Sequence, residues 1–192
     1  MITPTWGRHE LLLDRCMPSV AAQTWPRIEH VIVSDGPDPG LRHLLRDALG
    51  PLVVFAELPE HDPRARWGHW ARLRAAELAT GEYICYLDDD NAFRPQHVER
   101  LAAALQARPE AGFAYSQIQM NRDGQFYFVG ADPPAYGQID TSAIMHRRGL
   151  LETATWRDEG QVTIDWDLVE RWLQAGVKWA HVPEVTADYY FR

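Results

Sequence analysis

Two cysteines are all that the 192 residues offer, and neither belongs to a C-x-x-C or a paired His/Cys spacing. Cys16 and Cys85 both lie in apolar stretches, which argues against a disulfide scaffold or a zinc module and for two reduced core thiols. No Lys/Arg run interrupts a chain of net charge −8. A nucleic-acid partner would need a basic face, so none is expected. No apolar stretch is long enough to cross a bilayer, and the N-terminus lacks a basic segment followed by an apolar run. The expected location is therefore the cytoplasm, with no membrane span. Internal repeats, low-complexity tracts and linkers are missing too. At this length residues 1–192 read as one domain with a substantial core.

The chain does have core material, 46% hydrophobic with 8 Trp, and one acidic cluster in an unusual place. Residues 83–87 form a short apolar run entered from Gly81, which reads as a buried strand. It ends in Asp88-Asp89-Asp90-Asn91. Three adjacent carboxylates repel one another, so folding alone gains nothing by placing them at a strand end. A hard divalent cation, Mg²⁺ or Mn²⁺, would remove the penalty and would share the carboxylates with a substrate's phosphates. A solvated acidic loop is the bland alternative.

Strand-like and helix-like segments alternate through the first half. Residues 28–34 are β-branched and end at Asp35-Gly36-Pro37, and residues 52–55 form a second apolar strand. Leu41, Leu44, Leu45 and Leu49 have helical spacing, as do Trp70, Leu73 and Ala76 within 67–79. This alternation predicts an α/β protein with a mostly parallel sheet flanked by helices. Such sheets bind ligands at the carboxyl ends of their strands, where both Asp35 and the aspartate triplet fall.

The second half differs. Pro95 opens a helix with Val98, Leu101, Ala102 and Leu105 on one face, ended by Arg108-Pro109. Residues 112–120 and 125–129 read as a hairpin about Asn121-Arg122-Asp123-Gly124, and 139–145 as a further strand. Residues 131–136 read as an irregular loop. Residues 166–173 are helical, with Val169, Trp172 and Leu173 apolar. The halves divide at about residue 91, a nucleotide- and metal-facing half (1–91) followed by a substrate-facing half (92–192).

Taken together, G-E-Y-I-x-Y-L-D-D-D-N resembles the metal-binding segment of family 2 glycosyltransferases of the GT-A fold. Pro4-Thr5-Trp6-Gly7-Arg8, Ser19-Val20 with Gln23-Thr24, Ser34-Asp35-Gly36, Ala71-Arg72 and Ile164-Asp165-Trp166-Asp167-Leu168 follow in the family's order. Ile139-Asp140 with Met145-His146-Arg147 is most similar to the spore-coat polysaccharide type. The resemblance implies an inverting, metal-dependent transfer of one sugar from a nucleotide-diphosphate sugar, a UDP-sugar favoured, to an acceptor hydroxyl not identified here. Asp35 would meet the nucleobase or ribose, and Arg72 the base or phosphates. Asp89 would meet the ribose and Asp90 would hold Mn²⁺ or Mg²⁺, while Asp88 would do either. Thr3, Thr5 and Arg8 would line the base pocket. Asp165 would be the general base, with Asp140 the competing candidate.

The chain departs from the family in several places. Only Met1 and Ile2 precede Thr3, so the first strand is expected to start short. Pro18 falls in a helix and is expected to break or kink it. Ile164 stands where the family has Glu. The Q-x-x-R-W signature of processive synthases is missing, Glu170-Arg171-Trp172 being a partial echo, so single addition is expected. His146 reads as a structural residue at a strand end. Trp156, Trp166, Trp172 and Trp179 would be core residues or sugar platforms. Two rival functions remain. One is a nucleotide-sugar-binding protein without turnover. The other is a sugar-1-phosphate nucleotidyltransferase, against which the lack of a Gly-rich basic loop in residues 3–8 counts.

Overall fold

The computed structural model describes residues 1–48, 52–61, 63, 68–157 and 164–191. Three short strands, β1 (Ile2–Thr5), β2 (His30–Ser34) and β3 (Val53–Glu57), pair in parallel in that order. Every residue of β1 and β2 is buried, which suits the branched side chains Ile2, Thr3, Val31, Ile32 and Val33. Strands covered on both faces need this continuous apolar character.

Helices supply the cover. Between β1 and β2 the chain runs through α1 (His9–Leu11), a wide π-helical turn (Leu12–Cys16) and α2 (Met17–Ala21). Pro18 therefore does not break the helix. The turn widens just ahead of it, which absorbs the missing N–H of proline. In α3 (Pro39–Ala48) Leu41 and Leu45 are buried, whereas Leu44 is 45% exposed. The expectation at Leu49 lies outside the described residues, as does Trp67 before α4 (His69–Leu78).

The α4 face differs from the expected one. Ala71, Arg72, Ala75 and Ala76 are buried, while Trp70 is 44% exposed and Leu73 only partly buried. The helix packs on β1 and β2. Alanines permit the close approach, and an indole at that surface would hold the helix away from the sheet.

Next come β4 (Tyr83–Cys85), β5 (Ala92–Phe93) and α5 (His97–Ala107), whose buried Val98, Leu101, Ala102 and Leu105 match the expected stripe. The expected hairpin is formed by β6 (Ala111–Arg122) and β7 (Gln125–Val129), with Asp123 and Gly124 both at positive φ in the two-residue turn. The strand expected over 139–145 is mostly absent. Residues Thr141–Ala143 form a single 3₁₀ turn, and β8 is Ile144–Arg147. The helix α6 (Ile164–Gln174) leads to β9 (Lys178–Tyr190), which the sequence reading missed together with β5.

These strands form a mixed sheet in the order β4-β8-β6-β9-β5, with β7 on the far part of β6. Only β6 and β9 pair in parallel, so antiparallel pairing is more extensive than expected. The α/β class stands. A bridge between Ile2 and Tyr86, with Leu87 N donating to Ile2 O at 2.9 Å, joins the two sheets side by side. Trp156 and Trp172 are core residues at 2% and 0% exposure, while Trp166 and Trp179 are partly exposed. Both cysteines are buried free thiols.

Candidate active site

The carboxyl ends of β1, β2, β3 and β4 open into one cleft of about 300 Å³. Thr5, Trp6 and Arg8 follow β1, Asp35 follows β2, His61 lies beyond β3, and Asp88 and Asp90 follow β4. Arg72 reaches in from α4 and Tyr189 from β9. The parallel first half thus does what its topology requires, delivering strand-end side chains to one place. A roomier hollow of about 600 Å³ beside α2 is lined by residues such as Leu13, Met17, Val20 and Trp25, and holds no carboxylate or guanidinium. Its chemistry suits no charged ligand.

Two guanidinium groups hold the three aspartates, Arg72 at Asp88 and Arg8 at both Asp89 and Asp90. Asp88 pairs with Arg72, a guanidinium only 3% exposed that also lies over the face of Trp156, 5.3 Å away. Asp89 is fully buried; Thr5 Oγ1 donates to it at 2.7 Å and Arg8 Nε lies at 3.1 Å. Arg8 also donates a terminal N–H to Asp90 Oδ2 at 2.8 Å. Arg15 donates to the Asp90 main-chain carbonyl at 2.6 Å and lies over the Tyr190 ring. Burial pushes the Asp89 carboxyl up to about 6, against the pull of Arg8 and Thr5.

Two residues expected at the ligand do not line the cleft. Asp89 is turned inward as the anchor of the triplet. Thr3 sits mid-strand, two residues short of the sheet edge, with Oγ1 at 2.9 Å from His30 Nε2 and 3.6 Å from Cys16 Sγ. Thr5, Arg8, Asp35, Arg72, Asp88 and Asp90 do line it.

Asp140 and Asp165 come from the second half of the chain. Asp140 caps the Thr141–Ala143 turn, accepting from Ser142 N at 2.8 Å, and does not begin a strand. Burial, then the charges of Asp88 and Asp165, raise its carboxyl to about 7. Asp165 stands in the first turn of α6, with Oδ1 accepting from Trp166 N at 2.8 Å. The Tyr189 hydroxyl is raised to about 12 by burial and by the charges of Asp140, Asp88, Asp90 and Asp165. All four carboxylates therefore act on one point at the cleft wall.

This donor set fits a hard divalent cation. Among the described residues no three His, Cys, Asp or Glu stand together as a complete ligand set. A Mg²⁺-like ion needs no such cage, because one or two carboxylates suffice when water and phosphate complete the shell. Asp88 and Asp90 both face the cleft.

Sequence reasoning missed Tyr189, His61 and Arg15. Tyr189 was hidden because β9 carries a long run with a bulge around Pro183 rather than clean alternation. A lone His or Arg in a loop or helix gives no signal without its partner.

Comparison with known proteins agrees with this geometry. The profile of the family described as Glycosyl transferase family 2 matches residues 1–156. The amylovoran biosynthesis glycosyltransferase AmsB of Erwinia amylovora is 28% identical over 140 residues, covering 64% of this chain and 46% of that protein. The putative colanic acid biosynthesis glycosyl transferase WcaA of Escherichia coli is 26% identical over 158 residues, covering 80% and 54%. Among solved structures, S. aureus TarS 1-349 superposes with a TM-score of 0.76 at 16% identity, covering 98% of this chain and 59% of that one. The same protein in complex with UDP-GlcNAc gives 0.75 at 15% identity, covering 100% and 58%. The chain thus spans roughly half the length of these proteins. The superpositions show the GT-A fold. With a family match over residues 1–156 of 192, the chain belongs to glycosyl transferase family 2.

Proposed function

We propose that this protein moves one sugar from a nucleotide-diphosphate sugar, a UDP-sugar favoured, to an acceptor hydroxyl, with inversion and with help from Mn²⁺ or Mg²⁺. The observation that carries the reading is the single cleft into which Thr5, Arg8, Asp35, Arg72, Asp88 and Asp90 all open. Asp35 holds the nucleoside end. Arg8 and Arg72 keep the aspartates in place and present positive charge where a diphosphate would lie. Asp90, with Asp88 beside it, would hold the cation. When bound, that cation stabilises the charge developing on the leaving diphosphate.

The acceptor oxygen attacks the anomeric carbon as the bond to the diphosphate breaks, and Asp165 takes the hydroxyl proton. Tyr136 and Trp166, edge to face at 6.4 Å, stand beside Asp165 and form a wall for an acceptor sugar. A second reading gives the proton to Asp140. It is favoured by that carboxyl's place between Asp88 and Asp165, close enough to feel both charges.

The reading includes a functional division, residues 1–91 for donor and metal and 92–192 for acceptor, within one domain. It also keeps the spore-coat polysaccharide subtype, supported by the Met145-His146-Arg147 strand that pairs with β4. No described helix is long and apolar enough to cross a membrane, and we place the enzyme in the cytoplasm.

The test is a thermal-shift panel of nucleoside diphosphates with and without Mn²⁺, followed by product analysis with UDP-sugars and mixed acceptors. A ligand at 100 times its dissociation constant adds about 2.7 kcal/mol to the folded state. Stabilisation by UDP that grows with Mn²⁺ is expected. No shift with any nucleotide would sink the reading, and binding without transfer or hydrolysis would favour the non-catalytic binder.

A further inference from the structure

At the base-binding corner of the cleft, three neighbouring parallel strands deliver Trp6, Asp35 and His61 side by side. The Trp6 and His61 rings stack with centroids 4.3 Å apart and planes inclined by 8°. His61 Nδ1 lies 3.0 Å from the Asp35 main-chain oxygen and 3.2 Å from its Oδ2. A carbonyl oxygen only accepts, so Nδ1 carries the proton and donates. Gly36 seats both rings. Its φ is +126°, and a Cβ there would come within 2.8 Å of the Trp6 ring and 2.9 Å of the His61 Cβ.

A nucleobase recognised at this corner needs a flat face to stack on and an acceptor for its ring N–H. One imidazole already takes both. Asp35 is only 6% exposed, and the His61 ring stands against its carboxylate where the cleft meets it.

We infer that His61 is a resident competitor for the nucleobase site: the donor's base seats by displacing the imidazole from Trp6 and Asp35, and His61 thereby sets which bases are accepted. This inference rests on the nucleotide-sugar reading above. Uracil is a single ring, close to imidazole in size, and its N3–H replaces the Nδ1–H at Asp35. Guanine also offers a ring N–H, but brings a second ring that must find room. Adenine offers no ring N–H on its pairing edge, and would set a lone pair against the carboxylate. The expected order of affinity is UDP, then GDP, then ADP.

The test is calorimetry of UDP, GDP and ADP at constant Mn²⁺ against the parent, His61→Ala and His61→Phe, each shown folded by circular dichroism. Removing a competitor raises the binding-competent fraction, so His61→Ala should bind UDP about tenfold more tightly. Its preference for UDP over GDP should narrow. His61→Phe keeps a stacking ring without the bond to Asp35 and should fall between. A variant-free check is the His61 ring-proton resonance of the parent, held upfield by the Trp6 indole and expected to move downfield on UDP addition. A folded His61→Ala that binds UDP as the parent does, or more weakly, overturns the inference, and so does an unmoved resonance. A parent that binds UDP while the variant gains nothing refutes the competitor role and leaves the donor reading intact. A parent that binds none of the three nucleotides overturns both.

Discussion

The molecule buries ionisable groups in two regions and treats them in opposite ways. In the core, His30 and His97 are lowered to about 3 and His146 to about 4, each chiefly by burial. In and behind the cleft, Asp89 and Asp140 are raised to about 6 and 7, again chiefly by burial. The physical cause is the same, since desolvation disfavours whichever form is charged. The difference lies in the partners. The histidines bond to neutral groups, Thr3, Thr186 and Tyr86, at 2.9, 2.7 and 2.7 Å, none of which would offset a charge on the ring. The cleft carboxyls sit among other charges. Burial thus keeps the core histidines neutral among neutral partners, whereas the cleft gathers carboxylates and guanidinium groups together.

The strongest way to break this contrast acts on the cleft alone. Asp165→Asn keeps size and shape but cannot take a proton, so transfer should fall by about 10²–10⁴-fold, with UDP affinity and melting temperature near the parent's. If Asp165→Asn retains transfer and Asp140→Asn loses it, the proton goes to Asp140. The counterpart acts on the core alone. Trp172, fully buried against Phe113 and His146, should cost about 3–5 kcal/mol when cut to Ala, read from urea unfolding. Nucleotide affinity of the remaining folded protein should hardly change.

A smaller effect tests the ligand-dependence of the cleft. Asp90→Asn removes an anionic oxygen facing the cleft, and should cost roughly 1.5–3 kcal/mol of Mn²⁺-dependent UDP binding by calorimetry. Affinity measured without metal should be much less affected. Unchanged metal-dependent affinity would move the cation elsewhere.

The smallest effect sets the two regions against each other. Near pH 5 the unfolded chain binds protons at His30, His97 and His146 that the native protein excludes, so acid removes stability there. The native protein binds protons at Asp89 and Asp140 that the unfolded chain excludes until near pH 4, so acid adds stability there. Asp38, Glu57 and Asp167, whose carboxyls are held below the usual range, add to the loss as their unfolded forms begin to protonate. Stability should therefore fall as the pH is lowered through 5, measured by urea midpoints. Asp140→Asn removes one of the two opposing carboxyls, and should steepen the loss.

How much of this was legible in the sequence divides along the same line. Residues that announce themselves by strand-end position, Asp35 and the Asp88–Asp90 triplet, stand where the alternation of strands and helices put them. The pattern could not show which aspartate faces inward. Asp89 differs from its neighbours only through Thr5 and Arg8, more than eighty residues away. Helix orientation failed at α4 because Trp70 looks like a core residue, while the sheet needed small Ala71 and Ala75. The family resemblance puts Thr3 beside Thr5 at the base pocket, whereas the length of β1 leaves Thr3 in the core and Thr5 at the edge. β9 escaped because its pairing partner β6 is distant in the chain and its register shifts at a bulge.

That last pairing also fixes a timetable. β9 enters the sheet between β6 and β5, two strands synthesised well before it, and Tyr189 near its far end closes one wall of the cleft. Among the described residues, every other one that lines the cleft lies at or before Asp90. On the ribosome, the donor-side walls can form while β6 still waits with an open flank. Parallel pairing between segments so far apart in sequence closes slowly, because the chain between them must first be ordered. Ribosome-bound chains of increasing length should thus acquire the parallel β1–β3 layer early. They should acquire the four-carboxylate surroundings of Tyr189 only in the last step, so that a growing chain has no finished cleft until its sheet is complete.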